Sequence, residues 1–123
     1  MVTGAVRTLL RLEGVAILVF AVGLYLRSGG SAWLLIPLAL AVDVSMAGYL
    51  VSPRLGAVTY NALHSWAPGF AVLAFGVVAG TDVVVSGGAV LVAHVGMDRM
   101  AGYGLKYPTA FADTHLGRIG RSR

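Results

Sequence analysis

Glu13, Asp43, His64, His94 and Asp98 are ionisable residues set inside long apolar stretches of the chain. A charge near the centre of a membrane helix costs about 2.5–3.5 kcal/mol even on lenient insertion scales, so each such residue calls for a partner or a purpose. Carboxylates and imidazoles gathered in a dry place can pair with arginines, ligate a divalent ion or pass protons. Helical spacing indicates how they would gather. Tyr60, Asn61, His64 and Pro68 share one face, and Gly87, Leu91, His94, Asp98 and Ala101 share another, so His94 and Asp98 stand one turn apart. Arg11 and Arg99 lie at similar depth. With both histidines neutral, the three acids outweigh the two arginines and the pocket favours a cation.

The metal reading takes Glu13, Asp43, His64, His94 and Asp98 as ligands, with Tyr60, Asn61, Arg11 and Arg99 orienting them. Dinuclear carboxylate bundles use a glutamate from each of two helices and a Glu/His pair on each of the other two. This set is a partial match, because Asn61-x-x-His64 lacks the carboxylate. A mononuclear site of two histidines and a carboxylate fits as well, for iron, zinc or manganese. Such a centre would act on a lipophilic small molecule entering from the inner leaflet. Haem between His64 and His94 is less attractive beside three carboxylates.

Two other readings use the same residues. In one, Glu13, Asp43 and Asp98 pair with Arg11 and Arg99 only to fix the bundle, as in a structural subunit of a larger membrane complex or a homo-oligomer. In the other, the acids and histidines carry protons in a small proton-coupled transporter. Ser45 and Ser65 read as helix-packing residues and not as nucleophiles.

The elements that must position these residues follow from composition. Only 11% of the 123 residues are charged while 58% are hydrophobic, and mean hydropathy is +0.84. A water-soluble globule is excluded on that balance. Four apolar stretches, each near the roughly 20 residues that cross a bilayer, predict helices at about 5–26, 32–51, 57–79 and 83–105. The breaks between them are short, so the fold class is all-α, an up-down-up-down membrane bundle over residues 1–105 with a basic tail over 106–123. A cleaved signal peptide over the first stretch is disfavoured by Glu13. No cysteine is present, which excludes disulfides and thiolate metal sites.

The formal charge of +4 reads as topology and not as nucleic-acid binding. One side collects Arg7, Arg11, Arg54, Lys106, Arg118, Arg121 and Arg123, the other only Arg27. The positive-inside rule then places both termini in the cytoplasm, with the chain in the inner membrane. The tail is expected along the interface among lipid headgroups, with Asp113 and His115 offered to the mouth of the pocket.

The segments Arg11-Leu12-Glu13-Gly14, Asp43-Val44-Ser45-Met46-Ala47-Gly48-Tyr49-Leu50, Tyr60-Asn61-x-x-His64, His94-x-x-x-Asp98-Arg99-x-x-Gly102-Tyr103-Gly104-Leu105-Lys106-Tyr107 and Thr114-His115-Leu116-Gly117 resemble a family of small bacterial membrane proteins, domain of unknown function 4260. The likeness spans nearly the whole chain and implies a four-helix membrane protein; it brings no activity with it. Val42 departs from it, standing where a proline is expected before the aspartate.

Overall fold

The computed structural model describes residues 2–120. It is all-helical apart from one small hairpin. Helix α1 runs Gly4–Arg27, α2 Leu35–Ala41, α3 Pro53–His64, α4 Trp66–Ala79 and α5 Asp82–Ala101. Short 3-10 segments, Ala32–Leu34 and Val42–Leu50, flank α2. Four helical stretches, Gly4–Arg27, Ala32–Leu50, Pro53–Ala79 and Asp82–Ala101, are long and apolar enough to cross a membrane.

The exterior explains the composition. Leu50, Val78 and Val83 are 90%, 89% and 81% exposed, the apolar exterior expected of helices that cross a membrane. The interior is built around α5, which carries more of the buried residues than any other element and packs against both α1 and α4. Small residues permit the approach. A Cβ on Gly14 would stand 2.6 Å from Cβ of Arg99 and 2.9 Å from the Gly96 carbonyl, so α1 reaches α5 only without a side chain there. Gly88 meets the backbone of Leu73 on α4 in the same way.

Two of the predicted helices are interrupted, each for a local reason. The expected helix at 57–79 starts earlier, where Ser52 caps α3 by accepting from the Leu55 N–H at 3.0 Å and Pro53 occupies the first turn. It then breaks at Ser65, whose backbone is extended. Pro68 supplies the reason: it has no N–H to donate to the carbonyl of His64 four residues back. The second span is not one regular helix over 32–51, because the backbone tightens from α to 3-10 geometry at Val42. A nine-residue 3-10 run is long for that geometry. The change occurs at Val42 without the proline that the family resemblance leads one to expect.

Helix α5 stops at Ala101 and not near 105, because Gly102 has φ 89° and turns the chain. Tyr103 N–H donates to the Asp98 carbonyl at 2.7 Å and Gly102 N–H to that of Arg99 at 3.0 Å, closing the helix end. The tail is folded and not extended. Strands β1 (Asp113–Thr114) and β2 (Gly117–Arg118) form a tight antiparallel hairpin folded back on the bundle, with Thr114 and Leu116 buried. Val2 N–H donates to the His115 carbonyl at 2.9 Å, and Arg7 donates to that of Leu116. Arg121 and Arg123 lie outside the described residues.

Candidate metal centre

His64 ends α3, His94 and Asp98 project one turn apart from α5, and Asp43 comes from the 3-10 segment that crosses them. Both histidines are fully buried; the side chain of Asp98 is 11% exposed and that of Asp43 38%. The two Nε2 atoms are 3.0 Å apart. Asp43 Oδ1 is 3.3 Å from Nε2 of His64 and 3.1 Å from that of His94, and Asp98 Oδ2 is 3.5 Å from each. Asp43, His64 and His94 thus offer three potential ligand atoms within 4.8 Å of one another, and Asp98 Oδ2 stands beside both imidazoles.

The outer nitrogens decide what those atoms are. His64 Nδ1 stands 2.9 Å from the carbonyl oxygen of Tyr60, which can only accept, so Nδ1 carries the proton and Nε2 presents a lone pair. Ser45 Oγ lies 3.2 Å from the same Nδ1. His94 Nδ1 is buried beside the backbone of Ala39, at a geometry too poor for a regular hydrogen bond. With its proton there, two lone pairs and two carboxylate oxygens face one another, an arrangement that suits a cation at its centre. An ion bound at about 2.0–2.1 Å in tetrahedral geometry would set its ligands about 3.3–3.4 Å apart, against the 3.0–3.3 Å observed among the atoms of His64, His94 and Asp43.

Neighbouring groups hold the ligands in place. The Tyr60 ring stacks on His64 with centroids 3.7 Å apart, and its hydroxyl donates to Asp98 Oδ2 at 3.1 Å. The His64 carbonyl left over by Pro68 receives Nη2 of Arg99 at 2.9 Å, while Nη1 donates to the Tyr103 carbonyl at 3.1 Å. Arg99 therefore serves the backbone break of α3 and the end of α5, and its guanidinium also lies over Trp66. Outer hydrogen bonds of this kind orient metal ligands.

Other expected residues stand elsewhere. Glu13 is exposed on α1, because the face of α1 turned toward α5 is the one carrying Gly14, and adjacent positions diverge by about 100° on a helix. Arg11 donates through Nε to the Met100 carbonyl at 2.8 Å, joining α1 to α5 below the cluster. Asn61 serves the tail: its side chain donates to the Lys106 carbonyl at 2.9 Å and accepts from the Lys106 N–H at 2.7 Å. Asp113 holds the hairpin, accepting from Thr109 at 2.5 Å and pairing with Arg118. His115 Nδ1 accepts from the Leu105 N–H at 2.8 Å. Burial first, and then the charge of Arg99, hold its pKa below the usual histidine value.

A cavity of about 270 Å³ opens from the cluster toward the tail, past Asp43 and Asp98 to Met46, Tyr103, Lys106 and Phe111. Lys106 and Met46 were not among the residues expected at the site. For Met46 the signal is the i, i+3 spacing from Asp43, which 3-10 geometry places on one edge; for Lys106 none was available, since only the turn at Gly102 brings it back. A second, apolar groove of about 610 Å³ runs along the opposite half, between Tyr25, Leu34, Leu38, Val42, Leu63 and Leu91.

Comparison with curated proteins and with solved structures finds no match to the chain. The family model described as a domain of unknown function, DUF4260, matches residues 7–119, a stretch that holds every residue of the cluster, and the chain belongs to that family.

Proposed function

We propose that this is a multi-pass protein of the cytoplasmic membrane, both termini inside, that binds one divalent ion at Asp43, His64, His94 and Asp98 and uses it to transform a lipophilic substrate. The observation that carries the reading is the convergence of two imidazole nitrogens, one of them fixed as a lone pair by the Tyr60 carbonyl, with two carboxylate oxygens at 3.0–3.5 Å. Orientation follows from the basic residues gathered at the end that carries both termini.

Three ligands are buried and one is not. His64, His94 and Asp98 are buried, whereas the side chain of Asp43 is the most exposed of the four and has room to yield its position. Three firm ligands and one exchangeable position distinguish catalytic from structural sites. A bound divalent ion supplies Lewis acidity toward a carbonyl or phosphoryl oxygen and activates water near neutral pH. Asp43 is placed to accept a proton at the cavity wall, and Tyr60 holds Asp98 in position. The apolar groove is lined in part by Val42 and Leu63, chain neighbours of Asp43 and His64, and is a fitting place for the hydrocarbon chain of such a substrate.

The test is metal content by mass spectrometry on protein purified in mild detergent without a polyhistidine tag, followed by hydrolysis of a medium-chain fluorogenic ester. One equivalent of zinc, iron or manganese, lost in His94→Ala, together with chelator-sensitive turnover lost in Asp98→Asn, is the expected result. Absence of metal after incubation with each ion would overturn the centre. Metal without turnover of esters or amides would overturn the hydrolytic chemistry.

A further inference from the structure

We propose that the apolar groove beside α5 selects substrates by length: it takes one unbranched acyl chain of about ten carbons, laid from the cluster toward the connection between α1 and α2, in space that Gly87 leaves open. The inference rests on the hydrolytic reading above and names the acyl part of the substrate.

One stripe of α5 serves both the groove and the cluster. Val83, Gly87 and Leu91 line the groove at four-residue steps. His94 and Asp98 follow at seven and eleven residues from Gly87, close to whole turns of the helix, and continue the same face. A substrate with its carbonyl at the cluster and its chain on this stripe therefore runs along the groove.

Gly87 is the glycine in this stripe that packing does not explain. Its neighbour Gly88 is required by the fold, since a Cβ there would stand 2.7 Å from the backbone nitrogen of Leu73. At Gly87 a Cβ would meet nothing within 4 Å, and the backbone is helical. Glycine inside a helix weakens it relative to alanine. What it leaves open here is the floor of the groove.

Charge and length then define the occupant. Among the described residues, none that lines the groove is charged, which suits hydrocarbon and disfavours an ionic tail. Toward the connection between α1 and α2 the wall turns polar. Ser28 Oγ and Ser86 Oγ are 2.6 Å apart, Ser28 Oγ donates to the Tyr25 carbonyl at 3.0 Å, and the Tyr25 hydroxyl donates to the Ser31 carbonyl at 2.8 Å. These groups are engaged with one another, so they end the apolar stretch. Ser86 lies eight residues from His94, about 12 Å along the helix. An extended chain advances about 1.2 Å per bond, so about ten carbons cover that distance. The groove volume of about 610 Å³ accommodates such a chain.

The test uses the full chain in nonionic detergent. A ten-carbon methyl ketone with a diazirine at its far end, which cannot be hydrolysed, is irradiated with the protein, and labelled residues are mapped by mass spectrometry. Saturable labelling confined to residues 28–42 and 83–91, displaced by excess unlabelled ketone, is expected. In parallel, fluorogenic esters of butanoic, decanoic and hexadecanoic acid are compared, and the decanoate should exceed both others in kcat/KM by about tenfold or more. Gly87→Leu should lose the label and move the optimum to shorter chains. Labelling spread over the lipid-facing helices without displacement overturns the subsite, because the groove then holds only adventitious lipid or detergent. A flat chain-length profile in the wild-type protein, a comparison that needs no variant to fold, overturns selection by length, and Gly87→Leu labelled like wild type overturns the role of Gly87. Saturable groove labelling with no metal or no ester turnover overturns the hydrolytic reading and supports the chain site.

Discussion

His64 and His94 meet through their Nε2 atoms at 3.0 Å, with ring planes 76° apart, although they lie thirty residues apart on different helices. Two buried imidazoles in this relation are either bridged by a proton or held by an ion. The Tyr60 carbonyl on the far side of His64 places the His64 proton on Nδ1, so its Nε2 faces His94 as a lone pair, ready for an ion or for a proton carried by His94.

Removal of one ligand should therefore abolish stoichiometric binding, while removal of a distant acid should not. His64→Ala, His94→Ala and Asp98→Asn are expected to lose the metal. Glu13→Gln, on the exposed face of α1, should keep the wild-type content. Mass spectrometry of the four purified variants checks this, and metal loss in Glu13→Gln would contradict the placement of α1.

Tyr60→Phe removes the hydroxyl that donates to Asp98 Oδ2 while keeping the ring on His64. Loss of such an outer hydrogen bond lowers metal affinity by about 10–100-fold. Competition with a chromophoric chelator should register that drop with little change in helix content by circular dichroism. An unaltered affinity would show that the hydroxyl does not position the ligand.

Metal loading should also be visible as stability. At free metal a hundred times Kd, the folded state gains about 2.7 kcal/mol by mass action. Thermal unfolding in detergent should shift upward with metal and return with chelator. A buried ion-pair network without metal would leave both curves superimposed.

Gly14→Leu should be among the most damaging substitutions in the chain, because a side chain there meets Arg99 and the Gly96 carbonyl. Overpacking commonly costs about 1–3 kcal/mol, and displacement of α1 would also disturb the neighbouring end of α5. Gly23→Leu, where a Cβ meets nothing within 4 Å, is the control and should unfold close to wild type.

The tail carries a pH dependence of definite sign. His115 accepts the Leu105 N–H through Nδ1, and burial and the Arg99 charge lower its pKa. Its contribution is complete above the unfolded histidine value of about 6.5 and is lost as pH falls from there through the lower folded value. Protection of residues 106–120 from protease should decline across that interval. His115→Asn, which offers an amide oxygen in place of Nδ1 and does not titrate, should flatten the profile.

Much of the architecture was legible in the sequence, because apolar length and helical period are local properties of the chain. Four apolar stretches, the share of charged residues and the one-turn spacing of His94 and Asp98 already dictate helices in a hydrocarbon solvent and a polar patch inside them. Depth counted along each helix brought Glu13, Asp43, His64, His94 and Asp98 to one level. Rotation about each helix axis did not follow from that count, and it separates the residues that meet from the one that does not. Gly14 turns toward α5 and Glu13 outward, a choice made by packing against a partner helix. Pro68 stood in the sequence as a break, but only the assembled bundle supplies Arg99 to take up the carbonyl it leaves. Likewise Asn61 and Lys106, forty-five residues apart, form their paired hydrogen bonds only because Gly102 reverses the chain. Periodicity is written into neighbouring residues, whereas the direction of a side chain across a helix interface is set by the shape of what it packs against.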